Sequence, residues 1–188
     1  RFAVGDLNRD GDPDIAISFD DSVSVLLATD REDVWTSAAT LNVVDPLDLA
    51  IADLNGDAQG DLVVARHELP VASVYEGNGS GGFGPPQGWS LGFGESSFPA
   101  TVLLTHLDRD AKFDLAAAEW NSGSVSVLHN ATDFAPAGGF GTRIRVGSPE
   151  PGLRKLQVGD LNRDGKLDVA ALDTPRIVAH LGNGDGSF

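Results

Sequence analysis

A nine-residue acidic pattern occurs four times in this chain, and that recurrence constrains the fold more than any other property. It reads Asp6-Leu7-Asn8-Arg9-Asp10-Gly11-Asp12-Pro13-Asp14 at its first occurrence and Asp160-Leu161-Asn162-Arg163-Asp164-Gly165-Lys166-Leu167-Asp168 at its last. Between them lie Asp53-Leu54-Asn55-Gly56-Asp57-Ala58-Gln59-Gly60-Asp61 and a divergent copy, His106-Leu107-Asp108-Arg109-Asp110-Ala111-Lys112-Phe113-Asp114. The starts are separated by 47, 53 and 54 residues (6 to 53, 53 to 106, 106 to 160). A repeat of that size is one supersecondary unit, of the length of a propeller blade of four short strands. Oxygen-bearing side chains at positions 1, 3, 5 and 9 suit a hard divalent cation, Ca2+ above all.

Each unit reads in the same order. A short apolar strand enters the acidic loop (Phe2 to Val4, Leu47 to Ala52, Ala100 to Thr105, Lys155 to Val158), and a second leaves it (Ile15 to Ser18, Leu62 to Ala65, Leu115 to Ala118, Val169 to Leu172). A third follows a brief turn (Ser22 to Leu27, Ala72 to Tyr75, Ser124 to His129, Arg176 to Leu181), and Ser22-Val23-Ser24-Val25 and Ser124-Val125-Ser126-Val127 carry the period-two alternation of half-buried strands. A Gly-rich turn comes next, as in Gly77-Asn78-Gly79-Ser80-Gly81-Gly82-Phe83 and Gly182-Asn183-Gly184-Asp185-Gly186-Ser187-Phe188. An irregular outer strand closes the unit around Trp35 to Val44, Gln87 to Leu91 and Arg143 to Val146. The expected fold is all-β: a β-propeller with four repeats of four-stranded antiparallel blades, at residues 1–46, 47–99, 100–152 and 153–188 of a single domain. A single β-sandwich is the alternative, but it leaves the internal period unexplained.

The acidic loop, the small apolar strand after it and the Gly-Asn-Gly-Asp-Gly-Ser-Phe turn are similar to the FG-GAP repeats of integrin α-subunit propellers and to bacterial VCBS repeats. The resemblance covers nearly the whole chain. It implies a larger, typically seven-bladed propeller, an extracellular or cell-surface location, and Ca2+ in the loop between strands one and two. Only four units are present, and the first and last are each incomplete. The remaining blades are expected either from a longer chain or from another chain, and open blade edges would favour self-association.

In such loops side chains at 1, 3 and 5 face the ion, the carbonyl at 7 contributes and a carboxylate at 9 closes the shell. The expected ligands are Asp6, Asn8, Asp10, the Asp12 carbonyl and Asp14; Asp53, Asn55, Asp57, the Gln59 carbonyl and Asp61; and Asp160, Asn162, Asp164, the Lys166 carbonyl and Asp168. Ala58 stands where Gly would permit the tight bend, at a cost of about 1 kcal/mol. The third loop keeps Asp108, Asp110, the Lys112 carbonyl and Asp114, but His106 at position 1 offers a nitrogen that suits a hard cation poorly. Three to four Ca2+ are therefore expected. The alternative is Asp-rich turns without metal, since Asn, Asp and Gly are ordinary turn formers. EF-hand-like loops need an acidic residue at position 12, where this chain has Ile17, Val64, Ala117 and Ala171.

The formal charge of −15 is concentrated in these loops, which hold twelve ligand-position Asp of the 28 acidic residues. Such a chain should repel nucleic acid and anionic membranes, and no apolar run is long enough to insert into a bilayer. With no Cys, disulfides and thiolate sites are excluded. No nucleophile elbow, metalloprotease helix or phosphate-cradling loop occurs, so catalysis is not expected.

Successive turns of a meander alternate between the two ends of a sheet. The acidic loops and Gly-rich turns thus share one face, and the turns between strands two and three share the other. That other face resembles the integrin ligand platform, and its candidate partner-binding residues are Asp20, Asp21, His67, Glu68, Glu119, Trp120 and Asn121. Trp120 can stack a sugar ring or a partner side chain, or wedge between blades. The expected role is recognition or adhesion toward a protein or glycan, with a lectin or a structural subunit of a surface assembly as alternatives. Trp35 and Trp89 read as outer-strand packing residues, Tyr75 as core, and His67, His129 and His180 as structural or exposed.

Overall fold

The computed structural model describes residues 1–31, 34–67, 69–91, 98–130, 140–146, 152–173 and 176–188, with the side chains of 140–146 and of 173 left aside. Four antiparallel sheets follow one another along the chain, each a simple meander. The first contains β1 (Phe2–Gly5), β2 (Asp14–Phe19), β3 (Ser22–Ala28) and β4 (Trp35–Asn42). The second contains β5 (Pro46–Ala52), β6 (Asp61–Arg66), β7 (Val71–Tyr75) and β8 (Gln87–Ser90). The third contains β9 (Pro99–Thr105), β10 (Asp114–Glu119), β11 (Val125–Asn130) and β12 (Phe140–Val146), and the fourth β13 (Leu153–Gly159), β14 (Asp168–Asp173) and β15 (Arg176–His180). Each strand expected from the sequence is present, with ends that coincide or shift by at most three residues. The fourth sheet has three strands among the described residues.

Register explains why the inner strands are so apolar. In β6, Leu62 and Val64 join a core with Ala16, Val23 and Leu49, between the first and second sheets. Val63 and Ala65, on the opposite side of the same strand, join a core with Val102, Leu115 and Ala117, between the second and third. In β10, Ala116 and Ala118 face the other way and pack with Leu153, Leu156 and Val169 of the fourth sheet. A strand with both faces covered reads as a continuous apolar run because successive side chains point to opposite sides and both sides are dry. Ala at 116, 117 and 118 lets neighbouring sheets approach closely.

The first strands contact one another in chain order, β1 with β5, β5 with β9 and β9 with β13. The sheets are therefore joined along the side of their first strands. The two flanking sheets leave apolar side chains uncovered: Phe2 and Val4 in β1, Ile177 in β15 and Leu181 just after it. No helix is long and apolar enough to cross a membrane among the described residues.

Candidate functional site

Each acidic loop is closed by its position-9 Asp. Asp14 is fully buried; its Oδ2 accepts from the Leu7 amide (2.7 Å) and its Oδ1 from the Ala28 amide (2.9 Å). Asp61 does the same with Leu54 and Gly77 (both 2.9 Å). Asp114 accepts from Leu107 (2.7 Å) and Asn130 (3.0 Å), and Asp168 from Leu161 and Gly182 (both 2.8 Å). One carboxylate thus ties the start of its loop to the end of the third strand in all four sheets. Charge-assisted bonds of this kind are about twice as strong as neutral ones. At Asp61 burial dominates and pushes the carboxyl up to about 6, against the pull of the Gly77 and Leu54 amides.

The exposed part of the loop is ordered by its position-1 Asp. Asp6 accepts from the Arg9 amide at Oδ1 (2.6 Å) and from Gly11 at Oδ2 (3.0 Å). Asp53 accepts from Gly56 and Ala58 (2.7 and 2.8 Å), and Asp160 from Asp164 and Gly165 (3.1 and 2.9 Å). Position 6 is left-handed in these loops, at Gly11 (φ 87°), Ala58 (φ 62°) and Gly165 (φ 79°). Position 4 is left-handed as well, at Arg9, Gly56, Arg109 and Arg163, which the sequence did not signal. The Asn and Asp at positions 3 and 5 converge, as in Asn8 Nδ2 to Asp10 Oδ2 (2.7 Å) and Asn55 Nδ2 to Asp57 Oδ2 (3.1 Å). The position-3 and position-5 oxygens of these loops accept from amides of their own loop, and among the described residues three metal-ligating side chains come within reach of one another only at Asp108, Asp114 and His129 of the third repeat.

The third loop is built differently. His106 Nδ1 donates to the Lys112 carbonyl (2.7 Å), so the oxygen expected to face an ion is held by an imidazole N–H, and the His106 ring packs on Phe113 (centroids 4.2 Å apart). Ala111 is not among the left-handed residues. The oxygens that remain are joined by an unexpected neighbour: His129 Nδ1 lies 3.6 Å from both Asp108 Oδ2 and Asp114 Oδ1. At Asp114 burial pushes the carboxyl up, but His129 and the Asn130 and Leu107 amides together outweigh it and hold it below the usual range. The Asp114 carboxylate beside it raises the His129 pKa, with burial opposing. Burial, followed by the Asp108 and Asp114 charges, raises Asp110, the Lys112 amide opposing.

The Gly-rich turns brace these loops from the neighbouring sheet. The Gly81 amide donates to the Leu7 carbonyl (3.0 Å), and Asn130 Nδ2 donates to the Leu54 carbonyl (2.7 Å). Arg109 reaches the Gly165 carbonyl (3.1 Å), linking the third loop to the fourth. Gly77 and Gly182 stand against the position-8 carbonyls; a Cβ there would lie 2.1 Å from Gly60 O or 2.0 Å from Leu167 O. Acidic loops and Gly-rich turns do share one face.

The opposite face carries an open depression of about 650 Å3 where the starts of β5, β9 and β13 converge. Leu47, Phe98 and Ala100 line its floor, with His67, Trp120 and Asn121 around it. Trp120 is 40% exposed and is not wedged between sheets; Arg154 lies over its ring with Cζ 4.3 Å from the centroid. Glu119 is a correction. Its place beside Trp120 suggested a surface residue, but it ends β10 pointing inward, fully buried, and bonds the Ser122 and Ser126 hydroxyls. Asp20 and Asp21 are exposed in the first sheet's turn, with Asp21 Oδ1 accepting from the Asp45 amide (3.2 Å). Glu68 lies outside the described residues.

No protein-family model matches the chain, and no curated protein matches it. In fold it is similar to an Agrocybe aegerita lectin whose structure explains specific recognition of non-reducing terminal N-acetylglucosamine, with a TM-score of 0.61 at 21% identity. That match covers 98% of this chain and 49% of the lectin, so the chain spans about half the lectin's length. It is also similar to part of the Photorhabdus luminescens Tc holotoxin pore, with a TM-score of 0.57 at 22% identity, over 100% of this chain and 9% of that one. At these identities the likeness defines a class, all-β chains built from successive small antiparallel sheets, and nothing narrower.

Proposed function

We propose that this chain is a glycan-recognition module of the β-propeller type, secreted or displayed at a cell surface, with Ca2+ held structurally in its acidic loops. The observation that carries the recognition reading is Trp120, 40% exposed on the wall of a depression of about 650 Å3 with Asn121 beside it. A half-exposed indole next to polar groups is the surface on which a sugar ring stacks. The likeness to a lectin favours a saccharide over a protein partner. A propeller is favoured over a sandwich because the first strands meet in chain order and an apolar core lies between each pair of consecutive sheets. The uncovered apolar faces of the flanking sheets suit further blades, or a second copy through self-association. The ions fix bends that no disulfide supports, and the chain's own residues make the recognition surface; catalysis has no part in this reading.

The test is a glycan array followed by calorimetry on wild type and Trp120→Ala. The expected result is saccharide binding that Trp120→Ala reduces at least tenfold with an unchanged melting temperature. Saccharide binding indifferent to Trp120, or none across the array, sinks the reading.

A further inference from the structure

The geometry points to an anionic saccharide, one bearing carboxylate or sulfate groups, as the ligand of the depression around Trp120; this rests on the glycan reading above and narrows it. The chain has 28 acidic and 13 basic residues, so a surface drawn at its average composition would hold more acids than bases. The described lining of the depression holds Arg1, Arg154 and Lys155, with His67 beside them, and no Asp or Glu. The adjoining hollow of the first sheet, which shares Arg1, Leu47 and His67 with the depression, does hold acidic residues, Asp20 and Asp45. Glu119, the carboxylate nearest in sequence to Trp120, is buried and bonded to two serine hydroxyls.

These cations are available. Arg154 is exposed and lies over the Trp120 ring, and among the described residues its guanidinium makes no hydrogen bond or ion pair; Lys155 is exposed and equally free. A stacked guanidinium keeps its planar fork of donors pointed outward, loses little freedom on binding, and matches carboxylate or sulfate geometry with two parallel bonds. Trp120 beneath it offers an apolar edge to the sugar carbons. The remaining surface and the acidic loops do not cancel this patch. Strands of six or seven residues separate the two faces by roughly 20 Å. The Debye length is about 8 Å at 0.15 M salt, so the loops are screened from the depression.

The test measures binding of four probes of equal length at 0.15 M salt with Ca2+ present: a hyaluronan hexasaccharide (carboxylate), a heparin-derived hexasaccharide (sulfate), neutral chitohexaose, and a hexathymidylate. The expected result is that at least one anionic hexasaccharide binds about tenfold or more tightly than chitohexaose. Two charge-assisted bonds are enough for that margin. The double variant Arg154→Gln/Lys155→Gln should erase the margin while leaving the melting temperature unchanged, the margin being taken against the variant's own chitohexaose binding. The two acidic arms identify which anion is preferred. Chitohexaose binding as tightly as both, a margin that survives the double variant, or hexathymidylate binding as tightly as the sugars overturns the inference. Trp120-dependent binding of chitohexaose alone removes this inference and leaves the glycan reading standing; silence toward all saccharides removes both.

Discussion

Replacing Asp61 with Ala in excess chelator tests the latch by itself. Asp61 is fully buried, and its two oxygens accept the Leu54 and Gly77 amides at 2.9 Å. Its removal orphans two backbone donors in the best-covered part of the fold, each costing about 1–3 kcal/mol when left without a partner. The expected loss is therefore about 2–6 kcal/mol, and at roughly 2–4 °C per kcal/mol for a chain of this size the melting temperature should fall by about 5–20 °C. The assay is calorimetric or fluorescence-detected unfolding in excess chelator at pH 8, where a carboxyl pushed up to about 6 is ionised and no metal contributes. Asp57→Ala is the control. Asp57 is exposed, and among the described residues its carboxylate accepts from the Gln59 amide and side chain and the Asn55 side chain (2.8, 2.8 and 3.1 Å). It should cost under about 1 kcal/mol in chelator, within the range of surface substitutions. The reasoning is refuted if Asp61→Ala melts with wild type in chelator, or if Asp57→Ala is the worse of the two there.

Calcium titration of the wild type should show three sites, from the first, second and fourth loops, and Ca2+ at a hundred times its Kd should add about 2.7 kcal/mol per site. His106→Asp/Ala111→Gly restores an acidic position 1 and a permissive position 6, and calorimetry should then count a fourth. Ala58→Gly removes a left-handed Ala (φ 62°) while keeping the amide that bonds Asp53, and should raise stability by about 1 kcal/mol in chemical denaturation. Gly77→Ala drives a Cβ to 2.1 Å from the Gly60 carbonyl and should cost about 1–3 kcal/mol, whereas Gly88→Ala meets nothing within 4 Å and should be silent in the same melt.

The strands were legible in the sequence because each is a short apolar run pinned between loops that recur in register. Residues such as Leu62 to Ala65 and Leu115 to Ala118 announce strands buried on both faces, and the structure distributes them between two cores. The two-faced division of turns was legible too, from hairpin parity alone. The latch made by the position-9 Asp was not. A ligand-like spacing reads the same whether the carboxylate faces an ion or the amides of Leu7 and Ala28. Glu119 was misread because a charged residue beside Trp120 suggests a surface turn, and its partners Ser122 and Ser126 lie on the far side of that turn. His129 was read as structural or exposed, and its place against the third loop was not legible because its carboxylate neighbours sit some 15 to 21 residues earlier in the chain (positions 114 and 108), at no spacing that a linear motif encodes. The left-handed Arg9, Arg109 and Arg163 carry no compositional hint.

Because β6 and β10 each feed two cores, no sheet in the middle of the chain melts without loosening both of its neighbours, while the first and fourth sheets lean on one neighbour each. Cohesion of that kind is a nearest-neighbour sum. It makes unravelling a process that starts at the outer sheets and runs inward, so the amide protons of β6 and β10 should be the last to exchange with solvent, and a defect at Phe2 or Ile177 should be felt locally long before it reaches the centre.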